Sequence, residues 1–468
     1  MAMKPIIFSF GGQTPKGHEV ARVVLLESKD TEVTRTKTGG REIRIGVDSF
    51  KKMTRRKLQT LFRRVVIVAK QNHIKQLVVD MNDFTFTNLA LPIRDIGEMC
   101  AVNMQLANFE FIRYKTRPKE GWNHVEKIVV MGAKSKDARD GFRRGQIIAG
   151  EINKMRELAN TPGGEMTPLI LAKAAIDAAD NTDVTVQVLG MIEMELLGMG
   201  GIIGVGKGSD SEPKFIIMEY MAGELGQKPL VLVGKGITFD TGGLNIKPGM
   251  SMEEMHMDMS GGAAVIHAII AAARLGIRRN IVALIPAAEN MPSGRSYRMG
   301  DILRTMNGKT IEIGHTDAEG RVVLADALEY AKRYKPEVVI DVATLTGSAE
   351  AALGKKASAF FATDEALEKK VREAGERSGD YAWPFPLWEE YESMIKGTFA
   401  DVTNSSKTRG AGTVEGAMFL WQFIKGTPWV HIDMAPRMSA ADGDFLAKGS
   451  TGEPMRLLIA MLEGDLSQ

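Results

Sequence analysis

Seven charged residues could do chemistry together: Lys235, Asp240, Lys247, Asp258, Asp317, Glu319 and Arg321. Each follows closely on a segment that reads as a strand and a turn. The segments are LVLVGKGITFDTGGLNIKPG, EEMHMDMSGGAAVIHAIIAAARLG and TIEIGHTDAEGRVVLADALEYAKRY, and VVIDVATLTG comes after them. Open α/β sheets bind ligands outside the carboxyl ends of their strands. Four carboxylates gathered at such an edge would repel one another, and two divalent cations would balance them. Carboxylates are hard ligands that suit Mg²⁺, Mn²⁺ and, less selectively, Zn²⁺. One carboxylate can bridge two metals through its two oxygens, so five residues could fill two coordination spheres. Such a pair of cations, typically about 3.5–4 Å apart, polarises a carbonyl or phosphoryl group and activates water. The chemistry implied is hydrolysis of a peptide, ester or phosphate.

The spacing adds detail. Asp317 and Glu319 are two apart, and an extended turn would aim both at one cavity. Asp258 stands before SGGAAVIHAII, where Ser260 reads as the helix cap, and an anion there gains from the helix N-terminus. The glycines of FDTGG and MSGG let backbone approach a crowded site. Taken singly, an Asp at a strand end is more often a turn or cap residue than a ligand, and each Lys alone would be a solvated one; the force lies in having all of them in one array. Rival motifs fail. In VGKG, Lys235 is followed by Gly236, not by the Ser or Thr of a P-loop. GVGKGS lacks the third glycine of a dinucleotide fingerprint. There is no HExxH and no GxSxG, and the seven histidines are scattered.

The elements that must position these residues form an α/β chain. At 468 residues it is too long for one ordinary domain. Its 44% hydrophobic and 25% charged content is that of a globular protein, and the net charge of +2 neither demands nor forbids an anionic partner. No apolar run approaches the roughly 18 residues of a membrane span. The first residues, MAMKPIIFSFGG, lack the apolar core of a signal peptide. The single cysteine, Cys100, excludes an intrachain disulfide and lies in an apolar context that reads as core. A cytoplasmic location is the expectation.

Residues 5–10, 22–26, 42–46, 76–80 and 127–132 read as strands. Leu58, Leu61, Phe62 and Val65 mark an amphipathic helix, and another helix covers Ile93 to Leu106. The expected organisation is a small α/β domain over 1–135 with a largely parallel sheet, a linker helix over 136–159, and a larger α/β domain over 160–468. The boundary follows from TPGGEMTP after Asn160. The larger domain should hold a mixed, mostly parallel sheet.

The run HTDAEGR at 315–321 closely resembles NTDAEGR, the signature of the leucyl (cytosol) aminopeptidase family. VGKGITFDTGG, MDMSGGAAV, MPSGRSYRMGDI, MNGKTIEI, DVATLTG, HIDMAP and ELANTPGGEMTP resemble that family too. The likeness spans 150–468, while the first domain shares only its layout. The resemblance implies an aminopeptidase with two divalent cations per subunit, Mn²⁺ or Zn²⁺, with Mg²⁺ or Co²⁺ as alternatives. Lys235 would be a ligand through a neutral amine. Asp240 and Glu319 would bridge. Asp258 would complete the tighter site with Lys235, and Asp317 the more exchangeable one. Lys247 would hydrogen-bond the scissile carbonyl oxygen, and Arg321 would hold a bicarbonate that shuttles protons. Met255, Thr344, Gly347, Ala435 and Met438 would receive the first side chain of a peptide with a free N-terminus, leucine and other apolar residues being preferred. The implied architecture is a small macro-like domain followed by the catalytic domain, assembled as a homohexamer.

The sequence departs from the signature at His315, where the family has Asn. Thr241 for Ser and Val322 for Leu are milder changes. Three roles are open for His315, namely a sixth ligand, a general base, or a hydrogen-bond donor that supports the ligands in place of the family's Asn, and the last is the expectation. A rival reading gives the first domain nucleic-acid or nucleotide binding, from the basic run KKMTRRKLQTLFRR. A charged helix face is usually just solvated, and that is the preferred reading of the run.

Overall fold

The structure is a computed structural model that describes residues 4–11, 17–36, 40–406 and 410–466. The chain divides into two compact units. One comprises Met1–Asn153 with Ala440–Lys448, the other Lys154–Ser439 with Gly449–Gln468. The division falls within the helix Lys136–Ala159.

The first unit is built on a six-stranded sheet of β1 (Ile7–Phe10), β2 (Val20–Glu27), β3 (Glu32–Arg35), β4 (Arg41–Val47), β5 (Gln76–Asp80) and β6 (Lys127–Met131), in the order β1-β6-β5-β2-β4-β3. All neighbours are parallel except β3, which returns antiparallel on β4. That edge strand was not expected from the sequence, because EVTR is short and polar and carries no apolar alternation. The helix Arg55–Gln71 starts where the Thr54 side chain accepts from the Lys57 N–H, and buries Leu58, Leu61, Phe62, Val65, Val66 and Ala69. Phe62 stacks on Phe84 with ring centroids 4.9 Å apart. The basic run is not one solvated stripe. Arg63 is buried and donates to Asn103, while Arg64 donates to Gly46 O, leaving Lys51, Lys52, Arg56 and Lys57 exposed. Cys100 is buried in this core, and burial raises its thiol pKa.

The second unit carries β7 (Thr185–Leu189), β8 (Lys214–Met221), β9 (Leu230–Gly234), β10 (Gly236–Asp240), β11 (Asn280–Asn290), β12 (Ile302–Arg304), β13 (Thr310–Glu312), β14 (Val338–Ala343), β15 (Ser358–Ala362), β16 (Ala382–Pro384), β17 (Val402–Thr403) and β18 (Trp429–Asp433). The large sheet runs β16-β15-β18-β14-β9-β11-β8-β7, and β10 pairs with β11. Its centre, β18-β14-β9-β11, is parallel, while β8, β7 and β15 join antiparallel. The central strands are buried along nearly their whole length, as expected where both faces are covered. Val231, Val233, Val282, Leu284 and Val339 share one core with the helices Glu319–Ala331 and Gly412–Ile424. The helix Ser260–Leu275 also packs on β9, β11 and β14. A separate small sheet, β12-β13-β17, pairs Ile311 with Val402 and Glu312 with Thr403. No helix among the described residues is long and apolar enough to cross a membrane.

Candidate active site

Because β9, β11, β14 and β18 are parallel, their C-terminal ends meet at one edge, and the segments leaving them converge there. Lys235 follows β9, its backbone N–H donating to Val342 O at 3.0 Å and its carbonyl accepting from Gly262 N at 2.7 Å. Asp240 closes β10. Asp258 follows the short turn Met255–Met257. Thr344 leaves β14, and Ala435 lies just beyond β18. These residues line a cavity of about 290 Å³ with Lys247, Met255, Asp317, Glu319, Arg321, Gly347 and Met438. All twelve residues singled out in the sequence therefore face one space.

Two local readings need correction. Asp317 and Glu319 do not share an extended turn: Asp317 lies in a tight turn, and Glu319 is the first residue of the helix Glu319–Ala331. They converge because a turn and a helix start meet there, not through strand alternation. Ser260 is not a cap either. It is the first residue of its helix, and its Oγ donates back to Met257 O at 2.6 Å. Glycine is required where backbone crowds the charges: a Cβ on Gly320 would meet Lys235 Cε at 2.5 Å, and one on Gly261 would meet Val342 O at 2.2 Å.

The charged groups form one network. Lys235 Nζ lies 2.7 Å from Asp258 Oδ2 and 2.8 Å from Glu319 Oε1, and donates to Thr344 O at 3.0 Å. Lys247 Nζ lies 2.8 Å from Asp240 Oδ2 and 2.6 Å from Asp317 Oδ1. Asp240 Oδ1 accepts from Gly242 N and Asn290 Nδ2, both at 2.8 Å. Thr344 Oγ1 donates to Asp258 Oδ1 at 2.6 Å. Arg321 Nη1 is held by Glu415 Oε1 at 2.7 Å and by Asn404 O at 2.8 Å.

Four carboxylates thus share two ammonium groups, since Glu415 neutralises Arg321. The proton affinities record the imbalance. Burial first, then the charges of Glu319 and Asp258, raise Asp240 well above the carboxylate range. Burial pushes Asp258 up to about 6 against the pull of Lys235, and burial with Glu319 raises Asp317. Glu319 alone is lowered, because Lys235 and Lys247 outweigh its burial. Burial disfavours the charge on both lysines, but the surrounding carboxylates prevail and hold both pKa values above the usual lysine range.

Divalent cations fit this donor set. Oxygens of Asp240, Asp317 and Glu319 all lie within 4.8 Å of one another, close enough to share an ion. Glu319 Oε2 is buried without a hydrogen-bond partner among the described residues. A buried carboxylate oxygen left so is costly unless something else completes it.

The sequence did not point to the residues that hold the signature loop. Asn404, fully buried, accepts at Oδ1 from Gly314 N (2.8 Å) and His315 N (3.2 Å). Its Nδ2 donates to His315 O (2.7 Å) and Ala318 O (3.2 Å). The pairing of β13 with the two-residue β17 brings it there, and so short a strand has no periodicity to read. Thr316, also buried, ties the loop of Lys247 to that of Asp317: its Oγ1 donates to Gly242 O at 2.6 Å and accepts from Asn245 N at 2.8 Å. His315 supports the ligand loop through an acceptor contact that the sequence did not suggest. Its Nδ1 accepts from the Asp317 N–H at 3.2 Å.

A sequence model of the cytosol aminopeptidase family, catalytic domain, matches residues 153–459. The "Probable cytosol aminopeptidase" of Roseiflexus castenholzii is 42% identical over 86% of this chain and 83% of that protein. Its namesake from Azoarcus sp. is 46% identical over 74% of this chain and 70% of that protein. Among solved structures, the bottromycin maturation enzyme BotP is similar with a TM-score of 0.85 at 29% identity, covering 96% of this chain and 99% of that one. A second BotP structure, in complex with Mn, gives 0.84 at 29% identity over 95% and 98%.

Proposed function

The chain belongs to the cytosol aminopeptidase family, and from that premise we propose that this cavity removes single N-terminal residues, leucine and other apolar ones by preference, with two divalent cations. The observation that carries the reading is the surplus of negative charge: four buried or half-buried carboxylates against two ammonium groups, with Glu319 Oε2 unpartnered among the described residues. Lys235, Asp240, Asp258, Asp317 and Glu319 are the proposed ligands. When bound, two such cations would polarise the scissile carbonyl and lower the pKa of the attacking water. Mn²⁺ is favoured as one occupant by the BotP structure described with Mn, and Zn²⁺, Mg²⁺ or Co²⁺ suit the same oxygen-rich set.

The chain's own residues do the remaining work. Lys235 Nζ must give up a proton to offer its lone pair. It is held between Asp258, Glu319 and Thr344 O, so it is already oriented for that role. Lys247 is the proposed cation, its Nζ set beside Asp240 and Asp317. Its Nζ can therefore donate to negative charge developing on the carbonyl oxygen, an electrostatic contribution with no reorganisation at the moment of reaction. Arg321 is fixed by Glu415 and Asn404 and lines the cavity, and a bicarbonate held there would serve as proton carrier. Met255, Thr344, Gly347, Ala435 and Met438 would take the first side chain. The assembly we propose is a homohexamer, in the cytoplasm.

The deciding experiment is hydrolysis of aminoacyl amides by chelated and metal-restored enzyme, beside N-acetylated controls. Chelation should abolish activity, and Mn²⁺, Co²⁺ or Zn²⁺ should restore it. Asp240→Ala should be the most damaging ligand change. Equal cleavage of N-acetylated and free substrates would refute recognition of the amino terminus.

A further inference from the structure

One carboxylate in the cavity has no part in the proposed chemistry. Glu350 lines the space with Met255, Leu345, Gly347, Ala435 and Met438. It belongs to the helix Gly347–Leu353, three residues after Gly347, so the two share a helix face. A Cβ built on Gly347 would meet no atom within 4 Å, so there is open space beside that face. The helix packs against the segment Ala435–Arg437, which brings the face opposite Ala435.

An apolar first side chain needs only the methionines, Leu345 and Ala435. A carboxylate among them is out of keeping with a purely apolar pocket, since a charged group gains nothing from an aliphatic neighbour. Nor is Glu350 firmly paired. Lys355 Nζ lies 3.8 Å away, both side chains are about two-fifths exposed, and the same ammonium donates to Ser439 Oγ at 3.2 Å. An exposed pair at that distance is weak.

We propose that Glu350 is a specificity-determining residue: it lets the side-chain pocket take lysine and arginine, and it discriminates against aspartate and glutamate. This rests on the reading of the cavity as the aminopeptidase site. Lysine and arginine bury their methylene stems on apolar surface while the cation stays at a polar rim. Met255 and Met438, flexible and polarizable, suit such stems. Glu350 then supplies the counter-charge, and the same charge repels an acidic side chain, so one residue both attracts and excludes.

The test uses the metal-loaded, full-length enzyme on the 4-methylcoumarin amides of leucine, methionine, lysine, arginine and glutamate. The readout is kcat/KM for each relative to leucine. For the wild type, lysine and arginine should lie within about tenfold of leucine, and glutamate about a hundredfold or more below. Glu350→Gln and Glu350→Leu should each lower the lysine-to-leucine ratio by about tenfold. Lys355→Ala should raise that ratio, because a competing cation is gone, an effect in the opposite direction that general damage to the fold would not give. Leucine amide cleaved with a lysine-to-leucine ratio unmoved by both Glu350 variants would overturn this inference alone. A metal-loaded wild type that cleaves none of the amides would overturn the aminopeptidase reading and the inference with it.

Discussion

Replacing Asn404 with alanine removes no proposed ligand, yet it should disable the site. The side chain makes four hydrogen bonds to the backbone of Gly314, His315 and Ala318, at 2.7–3.2 Å. That backbone carries Asp317 and leads directly into Glu319. A net contribution of about 1 kcal/mol per bond gives roughly 2–4 kcal/mol for the set, allowing for partial rescue by water. Part of that appears as lost stability. The rest appears as a loop that no longer holds Asp317 opposite Lys247, and losses of this indirect kind run about 10–100-fold in metal affinity or activity. Asn404→Asp sharpens the test. It keeps both acceptor bonds but sets a negative charge against His315 O and Ala318 O, so it should be at least as harmful as alanine. The assays are Mn²⁺ titration calorimetry, kcat/KM on leucine amide and thermal denaturation. Variants that bind Mn²⁺ like the wild type and keep kcat/KM within about twofold would show that the loop holds its shape unaided.

Three further outcomes follow from the geometry. Lys247→Ala should lower kcat by about 10²–10³-fold with little change in KM, as for an interaction made chiefly in the transition state, and a raised KM at constant kcat would assign Lys247 to ground-state binding. His315→Asn should change kcat/KM by less than about tenfold, because an amide oxygen can accept from the Asp317 N–H as Nδ1 does; a loss near 10³-fold across pH 6–9 would put the imidazole in the chemistry. Asp326, fully buried, accepts from the N–H groups of Gly201, Ile202 and Met306, and burial, opposed by those donors, pushes its pKa from 3.8 up to about 7. A folded pKa raised in this way means stability is fully present below about pH 4 and declines as pH rises to about 7. Relative to Asp326→Asn, the wild type should lose on the order of 4 kcal/mol across that window, at 1.36 kcal/mol per pH unit; a flat difference would sink the assignment.

The sequence was most legible where residue type and strand end coincide. Lys235, Asp240 and Thr344 sit at or just past the ends of β9, β10 and β14, and β9 and β14 are buried along their whole length. The helix Lys136–Ala159 was equally plain, because turn residues bound it on both sides. What escaped was whatever depends on two distant segments meeting. β3 is visible only through its pairing with β4, and Asn404 matters only because β17 lies beside β13, some ninety residues away in sequence. Asp317 and Glu319 reach a common cavity by a route that period-two alternation does not describe. His315 was expected to donate because the Asn it replaces carries an amide N–H₂. The Asp317 N–H, left unpaired by the turn, needs an acceptor, and the imidazole ring provides one at Nδ1. Residue type told which groups could do chemistry; which lone pair met which proton was decided by backbone geometry that no local pattern encodes.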